Sequence, residues 1–305
     1  MLSMMRDVLA IWRQEANPLT RKALERLPKL HFFAAWHSRF KLLLVQKMIY
    51  WIFKLRNRLE VHGFEHVRRE MENGGPFLLV VNHSGNLDVI MQQSIHAHHD
   101  NLVFTFINSE GFYIPEVPNL AVVLHYAEQI PRRGPGQKSV DRVVQRLVHG
   151  DRVLFFPEGS YDFGIVWDGF TGVARIAHGF WHRTGKKLRI VPACTIGMHE
   201  AYNPHVHHHH HRHNKHHVHP VRASYWFPKL ALIRRPTQKV IVKFGPAFTV
   251  DVPETPTAND LKAATTTIMQ TIAGLWGQKH LRPNLSHAWI NNRVPIVDGK
   301  RVYGG

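Results

Sequence analysis

The chain has 305 residues, 44% of them hydrophobic, which excludes a disordered protein and leaves room for one large or two small domains around a sizeable core. Lys and Arg number 39 against 22 Asp and Glu, a formal net charge of +17, so the chain suits negatively charged surroundings: nucleic acid, an anionic membrane or phosphorylated substrates. The single cysteine, Cys194, excludes an intramolecular disulfide framework and a cysteine-rich metal site, fits a reducing compartment, and reads as a small core residue inside an apolar strand.

The N-terminus "MLSMMRDVLAIWRQE" lacks the unbroken apolar core and small-residue cleavage site of a secretory signal, so the mature protein is expected to begin near Met1. Residues 3–15 suit a helix that Asn17-Pro18 ends. Residues 31–58, "HFFAAWHSRFKLLLVQKMIYWIFKLRNR", mix large apolar groups with Arg39, Lys41, Lys47, Lys54, Arg56 and Arg58 and carry no acidic residue. That is too broken for a span, which needs about 20 mostly apolar residues. Two readings remain: a helix lying in the interface of an anionic membrane, which the composition favours, or a helix packed on the protein's own core with its lysines snorkelling to water.

From Leu59 onward the pattern changes to short apolar runs, "FLLVVN", "NLVFTFIN", "AVVLHY", "RVLFFPEG", "LRIVPACTIG" and "KVIVKFGPAF", separated by polar helical stretches. Strands covered on both faces read as continuous apolar runs, so the fold class is α/β, a largely buried mixed sheet flanked by helices, with N-terminal membrane-interface helices before it. "QKSVDRVVQRLVHG" has helical periodicity and ends at Gly150, a C-cap. The domain organisation that follows is residues 1–58 as a helical membrane-binding segment, 59–252 as the α/β domain, and 253–305 as a C-terminal helix, "NDLKAATTTIMQTIAGLW", with a tail. Inside the α/β domain residues 205–219, "HVHHHHHRHNKHHVH", hold ten of the 25 histidines and almost nothing to bury. Neutral imidazoles there could ligate zinc, nickel or copper, but an exposed low-complexity insertion that binds such metals adventitiously is the favoured reading.

Three strand ends carry candidate chemistry. In "LLVVNHSGNLDVIMQQ", residues 78–93, a run of apolar residues gives way to His83, then to Asp88 at the start of an amphipathic segment. About one His-x4-Asp pair is expected by chance in a chain this rich in histidine, so the context decides. Ser84, Gly85 and Asn86 supply turn and capping chemistry, Asp88 falls in the first helical turn, and its carboxylate can reach one imidazole nitrogen while the other faces a cleft. A surface histidine beside a helix-capping acid is the plainer alternative. In "RVLFFPEGSYDFG", Pro157 stops regular pairing, Glu158 projects past the strand, and Gly159 permits a tight turn or close approach of substrate. In "EQIPRRGPG", Arg132 and Arg133 follow a strand and precede a glycine-rich turn, which suits bidentate binding of phosphate. Ordinary solvated strand exits remain the alternative for both.

In order and setting, "NHSGNLD", "IPRRG", "FPEGS" and "IVPACTIG", each at the end of an apolar run, resemble the glycerolipid acyltransferase superfamily, whose best-known members are the lysophosphatidate acyltransferases. The resemblance extends through "GFTGVARIAH" and "VIVKFGPAF" and covers about residues 60–250. It implies that His83 is the general base for an acceptor hydroxyl and Asp88 its orienter. It further implies that Arg132, or Arg133 one register on, binds acceptor phosphate, that Glu158 and Gly159 belong to the acceptor-binding motif, and that Val191 and Pro192 belong to a motif on the acyl side. Two departures stand out. Ser160-Tyr161 replaces the usual Thr-Arg after Glu-Gly, and Phe170 stands where many relatives carry Lys, so two expected cations are missing and lysophosphatidate itself is less well matched.

The implied reaction moves a fatty acyl group from acyl-coenzyme A or acyl carrier protein to a lysophospholipid or glycerol phosphate, or to a different lysolipid or amino-lipid. A thioester is already activated, so no metal, cofactor or covalent intermediate is expected. The implied partners are an anionic membrane surface, the lipid acceptor and the acyl donor, and the implied location is the cytoplasmic face of a membrane. A hydrolase is the nearest rival, but no Gly-x-Ser-x-Gly elbow occurs. A basic, His-rich metal- or nucleic-acid-binding protein is the rival from another class. Nucleic acid is not expected, because the cations of residues 31–58 lie among bulky apolar groups rather than along a phosphate groove.

Overall fold

A computed structural model describes residues 39–84, 87–100, 105–109, 127–130, 136–159, 166–198, 201, 239–281, 296–297 and 300–301. The elements run α1 (Arg39–Arg56), β1 (Glu60–His62), α2 (Phe64–Glu72), β2 (Phe77–Val81), α3 (Asp88–Asp100), β3 (Thr105–Ser109), β4 (Ala127–Ile130), α4 (Gly136–Val148), β5 (Val153–Phe155), α5 (Gly172–Thr184), β6 (Arg189–Ile196), β7 (Ile241–Phe244) and α6 (Ala258–Trp276), followed by the two-residue strands β8 (Ile296–Val297) and β9 (Lys300–Arg301).

Among the described residues seven strands form one sheet in the order β1-β7-β6-β2-β5-β3-β4. The strands from β6 to β4 are mutually parallel, whereas β7 pairs antiparallel to β6 and carries β1 parallel beside it. The sheet is therefore mixed, with the single reversal on one flank. Alternate residues of the central strands feed two separate cores, as the two-residue period of a strand requires. Phe77, Leu79 and Val81 of β2, Val191 and Ala193 of β6, and Val242 and Phe244 of β7 pack with Tyr50 and Phe53 of α1, Phe64 of α2 and Met91 and Ile95 of α3. Leu78 and Val80, with Ile190 and Cys194, face α4, α5 and α6 instead.

The helices cover those faces through regular apolar spacing. Val140, Val143, Val144 and Leu147 make one buried stripe on α4, and Ile268, Met269, Ile272 and Ala273 make another on α6, which opens with a Thr257–Asp260 capping box. The C-terminal helix, which composition sets apart after residue 252, thus shares a core with the sheet. Helix α1 packs on the core with one side only. Tyr50 and Phe53 are buried in the core, whereas Met48, Trp51, Ile52 and Leu55 are exposed by 48 to 78% on the other side. Burial holds the Cys194 thiol up at about 12, in keeping with a core residue. Residues 3–15, the run 121–126 and the histidine tract 205–219 lie outside the described residues.

Candidate active site

Because β2, β5 and β6 are parallel, their carboxyl ends meet at one edge of the sheet, where the order β6-β2-β5 puts β2 in the middle. Crevices outside the carboxyl ends of strands are where open α/β sheets bind their ligands. β2 stops at Val81, and the chain turns through Asn82, His83 and Ser84 before α3 begins at Asp88. The expected turn residues Gly85 and Asn86 lie outside the described residues.

His83 Nδ1 lies 3.0 Å from Asp88 Oδ2. The Asp88 side chain is fully buried and that of His83 is 14% exposed. The Ser84 backbone N–H donates to Asp88 Oδ2 at 2.6 Å, so the carboxylate is aimed before the imidazole adds its bond. A ring contact with Phe156, 4.6 Å between centroids, sets the plane of the imidazole from the β5 side. This is an oriented, partly exposed histidine held by a buried acid at the carboxyl edge of the sheet, an arrangement suited to proton abstraction.

Glu158 is placed differently from the sequence expectation. The side chain does not project past the strand but turns inward, and the residue is 1% exposed. Its Oε2 accepts from the His83 backbone N–H at 2.6 Å, and its Oε1 accepts from the Trp167 backbone N–H at 2.7 Å. A buried carboxylate must be satisfied by donors, and these two tie the segment after β5 to the main chain at His83 and at Trp167. Gly159 follows with φ +67°, and a Cβ there would come within 2.9 Å of the Phe170 ring, so both its conformation and its lack of a side chain are needed.

Val191 and Pro192 lie inside β6, paired with Leu79 and Val80 of β2, and both are buried. Their contribution is to the layer beneath the site, several residues before the strand ends. Arg132 and Arg133 lie outside the described residues, between β4 and α4. Sequence reading passed over Asn82, Gln92 and Thr195, which are fully buried and hydrogen-bonded beside the dyad. The available signal was a polar residue closing an otherwise apolar run, "FLLVVN". Among the described residues no group of three or more His, Cys, Asp or Glu side chains could hold a metal ion.

No curated protein matches the chain. Among solved structures it is similar to the 1-acyl-sn-glycerophosphate (LPA) acyltransferase PlsC from Thermotoga maritima, at 15% identity and a TM-score of 0.48, over 79% of this chain and 82% of that one. Residues 58–196, from the end of α1 to the end of β6, match the family model described as Acyltransferase. That stretch contains His83, Asp88, Glu158 and Gly159, so the part of the chain that holds the dyad is the part similar to acyltransferases.

Proposed function

We propose that the protein is an O-acyltransferase that moves a fatty acyl group from a thioester, acyl-coenzyme A or acyl carrier protein, to the hydroxyl of a lysophospholipid or glycerol phosphate. The observation that carries this reading is the His83–Asp88 pair at the carboxyl edge of the sheet, with the imidazole partly exposed and the acid buried. With Nδ1 held by Asp88, Nε2 takes the proton of the acceptor hydroxyl as its oxygen attacks the thioester carbonyl. The C–O bond forms, the tetrahedral intermediate collapses with cleavage of the C–S bond, and the imidazolium returns the proton to the leaving thiolate. Asp88 stabilises the imidazolium between these steps. In this reading Arg132 or Arg133 holds acceptor phosphate, and Val191 and Pro192 support the acyl side.

The same proposal puts the reaction on the cytoplasmic face of an anionic membrane. Met48, Trp51, Ile52 and Leu55 follow i, i+3, i+4, i+7 spacing and form one exposed apolar stripe on α1, with Lys47 and Lys54 in the same helix and no acid in it. No helix among the described residues is long and apolar enough to cross a membrane. A stripe of this kind inserts shallowly, leaving the cations at the headgroups.

A second acceptor class, a lysolipid or amino-lipid without a phosphomonoester, is favoured by one observation: the aromatic ring of Phe170 packs against Gly159, at a position where superfamily relatives often carry Lys. The test is incubation of the purified protein and labelled acyl-coenzyme A with glycerol 3-phosphate, lysophosphatidate, other lysophospholipids and hydroxylated amino-lipids, each on anionic vesicles. Acceptor-dependent labelled product is expected. Free fatty acid formed equally without acceptor would instead make the protein a hydrolase, and binding to mixed nucleic acids but not to vesicles would remove the lipid surface.

A further inference from the structure

Beside the dyad lies a second group of buried polar side chains that proton transfer does not use. Asn82, Gln92 and Thr195 are each fully buried. Asn82 Oδ1 accepts from the Thr195 backbone N–H at 2.7 Å, and Asn82 Nδ2 donates to the Thr195 carbonyl at 3.1 Å. A side-chain amide carries the same donor and acceptor as a peptide group. Asn82 therefore extends the β2–β6 ladder beyond its last register pair, Val81 with Ala193, while its own main chain is released to turn. The two backbone N–H groups that follow are then free to be taken by carboxylates, His83 by Glu158 and Ser84 by Asp88.

The helix is held from the other side. Gln92 Nε2 donates to Thr195 Oγ1 at 3.2 Å. Gln92 lies four residues after Asp88 and so projects from the same face of α3 one turn further on. Thr195 is thus gripped by the strand that delivers His83 and by the helix that delivers Asp88. Stability alone does not account for this choice of residues. Gln92 Oε1 is buried with no hydrogen-bond partner among the described residues, and an apolar side chain of similar size would avoid that cost.

We propose that Asn82, Thr195 and Gln92 are positioning residues that fix the separation of His83 and Asp88 by locking the end of β2 and the first turns of α3 to one threonine of β6. The inference rests on the acyl-transfer reading for its consequence and on geometry alone for its existence. Catalytic groups must be held within about 0.5 Å of their working geometry, and the dyad joins a residue just past the end of β2 to the first residue of α3.

The test uses the full chain with Thr195→Val, Gln92→Leu and Thr195→Ser. Thr195→Val keeps the shape and both backbone bonds to Asn82 and removes only the hydroxyl, so it folds where an Asn82 variant need not. Two quantities are measured: kcat and KM on vesicles, and the rate at which diethyl pyrocarbonate modifies His83, followed on its peptide by mass spectrometry without any substrate. Thr195→Val and Gln92→Leu are expected to lower kcat by roughly five- to thirtyfold with KM within about twofold, and to change the modification rate about threefold or more. Thr195→Ser is expected to restore both to near wild type. Unchanged modification rates in folded Thr195→Val and Gln92→Leu would overturn the proposal, as would a raised KM with unchanged kcat. A changed modification rate in a protein that acylates none of the acceptors would uphold the network and reject the acyl-transfer reading.

Discussion

The two ends of α3 treat histidine in opposite ways. At the N-terminal end Asp88 holds His83 at 3.0 Å, at a sheet edge where the imidazole keeps some exposure. In the C-terminal half His96 is fully buried, with its ring 5.2 Å from Phe64 and 5.4 Å from Phe244, and burial holds it down at about 3. His98 stacks flat on Tyr50 at 3.8 Å, and His99 sits 4.6 Å from Phe64. Both are lowered, first by burial, then by Lys47 and Lys54 for His98 and by His98 for His99. The same ring is bonded to a buried carboxylate at a partly exposed sheet edge in one place, and is a neutral packing wedge where aromatic rings close over it in the other. In a chain with 25 histidines, residue type alone does not separate these uses.

The largest effect that sharpens this contrast is on turnover. His83→Ala should lower kcat by about a hundredfold or more while leaving the melting temperature near that of wild type, because general-base assistance contributes on that scale. His96→Leu, at the other end of the helix, should leave kcat within about twofold, since it alters packing rather than proton transfer. Steady-state kinetics of the two variants side by side would break the contrast if their losses were alike. Next in size is Asp88→Asn, which keeps an acceptor for Ser84 but cannot stabilise an imidazolium. A fall of roughly tenfold to a hundredfold in kcat at saturating acceptor is expected, with KM little changed.

Glu158 separates a structural hold from a substrate contact. In Glu158→Gln one of the two accepting oxygens becomes an amide that faces a backbone N–H, so a buried donor loses its partner. The expected cost is about 1–3 kcal/mol, read as a lowered melting temperature together with a lowered kcat. A raised KM for acceptor with no loss of stability would instead return Glu158 to the acceptor-binding role that the motif implies.

Much of the central sheet was legible because its strands are buried on both faces and therefore read as unbroken apolar runs: Phe77–Val81, Val153–Phe155 and Arg189–Ile196 each fall inside such a run. β1 was not legible. Glu60 and His62 flank one valine at the sheet margin, and only pairing with β7 makes the segment a strand. α3 misleads for a related reason. Gln92, Gln93, Ser94 and His96 look like a solvated face, yet they are buried, because α1 packs against α3 and β6 lies beneath it. The His83–Asp88 pair could be read from its spacing together with its setting, an apolar run before it and a helix start at Asp88, because the two residues are close in sequence. Glu158 could be found but not understood, since its partners at residues 83 and 167 are set by strand order, which no single motif encodes.

The smallest expected effect concerns stability against pH at the buried end of α3. An unfolded histidine binds its proton near pH 6.5, whereas folded His96 resists protonation down to about 3. Between those values the unfolded state holds the extra proton, so stability rises with pH up to about 6.5 and falls below it, by up to about 1.4 kcal/mol per pH unit. His98 and His99 are lowered too and act in the same direction. They face Lys47 and Lys54 of α1 and Arg68 of α2, with Asp100 alone opposing the shift of His99. The carboxylates Glu70 and Asp260, lowered by Arg189 and by Thr257 respectively, lose their contribution only as pH falls below about 4.5, a separate window. Thermal unfolding followed from pH of about 7 to about 5 should therefore show a decline in wild type that His96→Leu reduces by about 1–2 kcal/mol, or roughly 2–4 °C for each kcal/mol. If the two proteins decline in parallel, His96 takes its proton as readily in the folded state as in the unfolded one, and the rings around it do not seal it from water.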